Sequence, residues 1–179
     1  MRKLIVSYLQ TVDGVQDAPR SWAGPHFDEQ AAEKSLAQLN RADAMLMGRV
    51  TYDYFAEAWP RASGPYPDRI NAMRKYVFSS TLREPTWHNS VVIAEDPVTA
   101  VAQLKRDGDG DLVIYGYSRL ARTLLDHDLV DELVVAIHPV LVGEPAPAPR
   151  PERAGREPRL VSVEQRRSGV VSLTYSPAR

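Results

Sequence analysis

The chain contains no cysteine among its 179 residues. That excludes disulfide bridges, thiolate nucleophiles and Cys-ligated metals, and it suits a reducing compartment. It also lacks an excess of positive charge. Lys and Arg number 22 against 23 Asp and Glu, for a net charge of -1. Nothing in that balance is built to hold a polyphosphate backbone, so nucleic acid is not an expected partner. No apolar run approaches the ~20 residues of a membrane span. The apolar stretch after Met1-Arg2-Lys3 is too short for a signal sequence, because Gln10 and Asp13 follow at once. The expectation is a cytoplasmic protein with no membrane partner. There is no G-x-G-x-x-G, no Walker loop, no H-E-x-x-H and no nucleophile elbow. His26, His88, His127 and His138 have no ligand spacing, so no metal is expected.

What is present is an ordinary globular balance, 44% hydrophobic and 25% charged, long enough to bury one core. The order of elements is informative. Leu4 to Leu9 reads as a buried strand, followed by a loop punctuated by Asp13-Gly14. Asp28 predicts a helix cap, with the helix over 29–40 and Ala32, Leu36 and Leu39 on one face. Strands are predicted over 43–47, 75–78, 91–94, 112–115 and 133–137. Helices are predicted over 50–59, 68–73 and from Asp96-Pro97 to 106, and another is capped by Ser118. "PRASGPYP" (60–67) is predicted to be loop. Residues 143–158, rich in Pro and Ala, are predicted to form an extended loop without regular structure. Leu160 to Gln165 and Val170 to Tyr175 flank "RRSG" and predict a terminal hairpin. Strands alternating with helices, then a hairpin, make an α/β fold: a single domain with a mostly parallel sheet and antiparallel strands at the end.

Ligands of such sheets bind at the carboxyl ends of the strands. The residues found there are small, hydroxylated or basic. Gln10, Thr11 and Asp13 follow the first strand. Gly48, Arg49 and Thr51 follow the second, and Ser79, Ser80 and Thr81 the third. Gly116, Tyr117 and Ser118 follow the fifth. "GRVTY" puts a glycine and an arginine at a helix start, where free N–H groups attract anions. The plain alternative is that Thr51 caps the helix and Arg49 is merely solvated. "SST" offers hydroxyls, with Arg83 nearby, where a nucleotide's 2'-phosphate needs donors; the alternative is an ordinary Ser/Thr turn. "GYS" is either a ligand wall or a tight strand-to-helix turn.

In order along the chain, "MRKLIVSYLQTVDGV", "ADAMLMGRVTYDYFAEAWP", "KYVFSSTL", "LVIYGYSRLARTLLDHDLVDELVVAIHPVLVG" and "SGVVSLTYSPA" resemble the dihydrofolate-reductase-like family. The closer resemblance is to its branch related to the C-terminal reductase domain of riboflavin biosynthesis (the RibD C-terminal domain). The resemblance implies a three-layer α/β fold and an oxidoreductase that uses NADPH on a small-molecule substrate. It implies that Gly48, Arg49 and Thr51 hold the pyrophosphate, and that Ser80 and Thr81, with Ser79, hold the 2'-phosphate. Gly116, Tyr117 and Ser118 would lie under the nicotinamide ribose and diphosphate. The loop from Gln10 to Val15 would border the nicotinamide, and relatives suggest a homodimer. Relatives carry two small residues in the turn where this chain has Tyr117, so the place of its ring becomes a structural question.

The implied reaction is hydride transfer to a conjugated C=N or C=O group, with a proton supplied by a side chain or water. Asp13 and Asp28 are the candidate carboxylates, although each has a structural alternative, as turn former and as helix cap. Trp22 and Phe27 are candidates for stacking on a flat substrate. Gln10 and the Tyr52 hydroxyl are further candidate contacts. A different class of function, a non-catalytic nucleotide- or small-molecule-binding module on the same fold, fits the same residues.

Overall fold

A computed structural model describes residues 1–143 and 155–177. The predicted loop over 143–158 therefore falls mostly outside the described residues; 155–158 have no regular structure. Eight strands form one sheet: β1 (Leu4–Thr11), β2 (Ala42–Gly48), β3 (Arg74–Phe78), β4 (Ser90–Ile93), β5 (Asp111–Tyr115), β6 (Glu132–His138), β7 (Arg159–Gln165) and β8 (Val171–Ser176). Five α-helices connect them: α1 (Glu29–Arg41), α2 (Arg49–Ala58), α3 (Pro65–Ala72), α4 (Pro97–Leu104) and α5 (Arg119–Asp126). The strand order is β4-β3-β2-β5-β1-β6-β8-β7. The first six strands in that order are mutually parallel, while β8 pairs antiparallel with both β6 and β7. The α/β fold with a C-terminal antiparallel hairpin is thus as expected.

The period-2 alternation of each strand decides which helices cover it. Leu4, Val6, Ala44, Leu46, Leu112 and Ile114 point to one face and pack with Val101 of α4 and with Leu120, Ala121 and Leu124 of α5. Met45, Met47, Val77 and Val113 point to the other face and meet Leu39 of α1, Tyr52 of α2 and Ile70 of α3. Three layers result, α4–α5, sheet, and α1–α2–α3. The central strands are buried on both faces, as parallel strands must be.

The caps behave as the residue types dictate. Asp28 accepts from the Ala31 N–H at 2.8 Å, Asp96 from Thr99 at 2.9 Å and Ser118 from Ala121 at 3.3 Å. Helix α3 corrects the expectation of a loop through Pro67. It begins at Pro65, directly after Gly64 at φ 116°. A proline in the first turn of a helix forfeits no intrahelical bond, so "GPYP" starts this helix rather than delaying it. The helix predicted to stop at Pro60 instead tightens into a 3-10 turn over Trp59–Arg61.

Three cations close the amino edge of the sheet. Arg2 donates to Leu104, Asp107 and Gly110 carbonyls at 3.4, 2.6 and 2.5 Å. Lys105 donates to the Leu129 carbonyl at 2.7 Å and pairs with Asp131. Lys75 is fully buried (0% exposed) and donates to the Asn71 and His88 carbonyls at 2.5 and 2.8 Å, with its ammonium over the Trp87 ring. Among the described residues no carboxylate accompanies Lys75, and burial pulls its pKa down to about 8. The unfolded chain then binds more protons than the folded one between about pH 8 and 10.5, so this residue's contribution to stability rises across that window. Urea unfolding of the wild type should gain on the order of 3 kcal/mol relative to Lys75→Met between those pH values. A pH-independent difference between the two proteins would contradict this.

Candidate functional site

Because six strands run parallel, their carboxyl ends share one rim. Ser79, Gly48, Gly116, Thr11 and His138 stand in that order at the ends of β3, β2, β5, β1 and β6, about 19 Å from first to last at ~4.8 Å per strand. The sequence-derived candidates after β3, β2, β5 and β1 are therefore neighbours in space, though more than 100 residues apart in the chain at the widest.

Gly48 is the N-cap of α2, and no side chain caps that helix. The first-turn N–H groups face outward without a side-chain acceptor. Gly48, and not Thr51, is the cap, which corrects the plain alternative; Thr51 lies inside the first turn. Arg49 is half exposed and its Nε–H reaches both carboxylate oxygens of Asp53 at 2.8 Å. Exposed i,i+4 pairs of this kind are weak, so the guanidinium can exchange Asp53 for a stronger anion. Ser79 Oγ accepts from the Thr81 and Leu82 N–H groups at 3.2 and 3.1 Å, forming a Ser turn that leaves Ser80 and the Thr81 side chain exposed.

Gly116 has φ +92°, and a Cβ there would meet nothing within 4 Å. A Cβ on Gly48 would likewise meet nothing within 4 Å. Tyr117 leaves the space at Gly116 open: its ring packs on the α5 side of the core, 5.2 Å from the Tyr8 ring. The Gly116–Tyr117 bond is trans, as are all peptide bonds of the described residues. Burial, with Tyr117 and Tyr175 adding, pushes the Tyr8 hydroxyl up to about 12, so it stays protonated. Gln10 belongs to β1 and pairs with Ile137 of β6.

The remaining candidates divide. Tyr52 is core: it is buried beneath α2 and its hydroxyl accepts the Trp87 N–H at 3.0 Å. Trp22 is also buried, donates Nε1–H to the Asp17 carbonyl at 3.0 Å, and meets the His138 ring edge-on at 5.1 Å. Phe27, 55% exposed, is the aromatic side chain left free. Asp13 accepts from the Thr11 hydroxyl and from the Val142 and Gly143 N–H groups at 3.0 and 2.9 Å. These bonds, that of Thr11 foremost, hold its carboxyl below the usual range. Asp13 is therefore ionised at neutral pH and clasps the segment after β6.

Sequence spacing did not reveal a polar cluster beyond β6. His138 ends β6 with Nδ1 3.2 Å from the Ala136 carbonyl. His26 sits edge-on to it at 5.9 Å, with Nδ1 3.3 Å from the Ser168 carbonyl. Arg166 and Ser168 come from the β7–β8 turn, closed by the Arg166 N–H to Val170 at 2.8 Å. Burial lowers the His138 pKa, and His26 and Arg166 reinforce this, so the imidazole is neutral at pH 7. The contributing segments are 22–28, 138 and 166–168, and no local pattern could have joined them. Two open cavities, of about 570 and 350 Å³, lie at the opposite, amino edge of the sheet, lined by residues including Asn71, Trp87 and His88 and by Met1, Lys105 and Asp131. Among the described residues no cluster could hold a metal, and no helix is long and apolar enough to cross a membrane.

The Asp13 clasp has a direct check. A folded-state pKa below the unfolded one means the clasp holds above the ordinary carboxylate pKa and releases as the pH falls through the depressed value. Asp13→Ala should speed hydrogen exchange of the Val142 and Gly143 amides at neutral pH while leaving the β1 amides protected. Unchanged exchange at both residues would show that the clasp does not order this segment.

Comparison with known proteins agrees with this fold. YyaP of Bacillus subtilis, an uncharacterized protein, is 30% identical over 142 residues, 76% of this chain and 75% of that one. The crystal structure of a Shewanella sp. PV-4 protein superposes with a TM-score of 0.78 at 21% identity, covering 99% of both chains. The Thermotoga maritima diaminohydroxyphosphoribosylaminopyrimidine deaminase/5-amino-6-(5-phosphoribosylamino)uracil reductase superposes with a TM-score of 0.65 at 14% identity, over 99% of this chain and 57% of that one. The family model of the RibD C-terminal domain matches residues 2–172. The chain belongs to the RibD C-terminal domain family, a family of reductase domains.

Proposed function

We propose that this protein is an NADPH-dependent reductase that transfers a hydride to a C=N or C=O group of a small conjugated or heterocyclic substrate. The observation that carries the reading is the open, glycine-lined rim. Gly48 and Gly116 both face empty space, an uncapped helix start lies beside one of them, and exposed hydroxyls stand at the far end.

These features fit the cofactor. The α2 N-terminus and Arg49 would hold its pyrophosphate, since free N–H groups and a planar guanidinium both recognise phosphate oxygens. Ser80 and Thr81 would donate to the 2'-phosphate, with Ser79 holding their turn in shape. Gly116 would allow the ring end of the cofactor to approach the backbone between β5 and β1, and Ser118 keeps the following helix start in place. When bound, the nicotinamide supplies the hydride. The chain's task is to hold two flat rings in contact and keep water from between them. Phe27 and the Gln10–Val15 segment border that space. Asp13, as an ionised group, shapes the loop. Asp28 stands at the same rim and can relay a proton from water to the product heteroatom, with one carboxylate oxygen engaged in its cap.

NADPH should bind in a fluorescence titration more tightly than NADH, and Arg49→Ala should weaken NADPH by about tenfold, the scale of one exposed charge-assisted contact. Oxidation of NADPH followed at 340 nm with dihydrofolate and other conjugated acceptors then tests turnover. Absence of binding by either nucleotide removes the reductase reading; binding without turnover on any acceptor favours the non-catalytic module.

A homodimer belongs with the same reading. The face that would serve it is β7, an edge strand exposing Leu160, Val161 and Val163. Exposed apolar edges are where sheets meet other chains. Sedimentation should show a dimer for the wild type and a shift towards monomer for Val163→Glu; a monomeric wild type would exclude it.

A further inference from the structure

The buried cations elsewhere among the described residues all have acceptors. Arg2, Lys75 and Lys105 each donate to at least one backbone carbonyl, and Lys105 has Asp131 besides. Arg166, at the opposite edge and only partly buried, is different. Its Nε is buried with no acceptor, and among the described residues no carboxylate lies within ion-pair distance. Asp28 acts on it only through space, and burial outweighs that attraction. Two hydroxyls nearby are also buried without partners, those of Ser168 and Ser172. Ser168 shares the β7–β8 turn with Arg166. Ser172 is 8% exposed and pairs with Ala136, so it lies on the same sheet face as His138, two residues further along β6. A buried donor without an acceptor is costly, and three such groups on the β7–β8 hairpin leave room for an acceptor to be supplied by a ligand.

The turn that carries them is held against the start of α1. The His26 ring meets the Ser168 carbonyl, the Arg167 N–H reaches Gln30 Oε1 at 3.4 Å, and Lys34 pairs with Glu164. Three separate segments thus enclose one polar spot. Ser172 on β8 lies three strands from Gly116 on β5, about 14 Å along the rim, and the β7–β8 turn lies beyond it.

We propose that Arg166, Ser168 and Ser172 form a subsite for a carboxylate carried by the substrate, on the hairpin side of the rim beyond β6. As a substrate subsite it rests on the reductase reading, but the anion binding does not. The chemistry favours a carboxylate over a phosphate. One guanidinium neutralises one negative charge, the adjoining His138 is neutral, and Asp28 opposes a second charge. A carboxylate accepts from the Nε–H and from both hydroxyls and needs no further cation. The substrate class is then a flat conjugated C=N or C=O compound that carries a carboxylate at its end remote from the Gly116 side of the rim.

The test uses the intact chain and the imidazole resonances of its four histidines, followed by NMR at pH 7 while benzoate, acetate or inorganic phosphate is added. With benzoate, His26 and His138 should shift with saturation at millimolar concentration while His88 and His127 stay still. Acetate should act at the same residues, and phosphate should bind at least about tenfold more weakly, one unit charge in a site with a single cation. Arg166→Gln should weaken benzoate about tenfold or more, and Arg166→Lys less, with unchanged thermal unfolding confirming the fold. Ser168→Ala should weaken it by a smaller factor. Shifts absent from His26 and His138, shifts unaffected by Arg166→Gln, or tighter binding of phosphate would each overturn the proposal. A parallel NADPH titration separates the two readings: saturable benzoate shifts without NADPH binding would leave the anion subsite standing and remove the reductase.

Discussion

The parallel ladder of β1 with β5 on one side and β6 on the other is the constraint on which the rest depends. Ile5, Val6 and Ser7 each have a partner on both neighbouring strands. The ladder places the ends of β5, β1 and β6 side by side and so creates the rim. It also decides which residues face α5 and which face α1. A slip of one residue would send Leu4 and Val6 to the α1 side and Thr11 away from His138. No single side chain in the site has comparable leverage.

The two edges of that sheet are finished in different ways. At the amino edge, polar groups are sealed: Arg2, Lys75 and Lys105 spend their N–H groups on backbone carbonyls. At the carboxyl edge, the glycines leave space, a helix start is uncapped, and Arg166 has an unanswered donor. The two open cavities at the amino edge, by contrast, lie beside these sealed cations. Binding chemistry follows unsatisfied groups rather than volume, since a ligand gains most where it replaces a missing partner.

Much of the candidate site was legible because its residues directly follow predicted strands. Gly48-Arg49, Ser79-Ser80-Thr81 and Gly116 could be read as a set once the sheet was taken to be parallel. Tyr117 could not be placed, since a ring after a positive-φ glycine can turn either way; packing against Tyr8 decided it. Tyr52 was misjudged as a rim hydroxyl because the α2 pattern alone does not say how deep its first turn sinks into the core. The Pro65 helix start was missed because prolines were read as breakers where they are initiators.

The sequence by itself determined the alternation of strands and helices, the terminal hairpin, the caps at Asp28, Asp96 and Ser118, and the family. All of these are local or near-local: period, capping chemistry and the order of motifs along the chain. Tertiary structure alone decided that His26, His138, Arg166 and Ser172 share one polar spot. Their separation exceeds 140 residues at its widest, and only strand order and the packing of the hairpin turn on α1 bring them together. It also decided that Lys75 is buried on backbone carbonyls, because burial belongs to a residue's neighbours and not to its type.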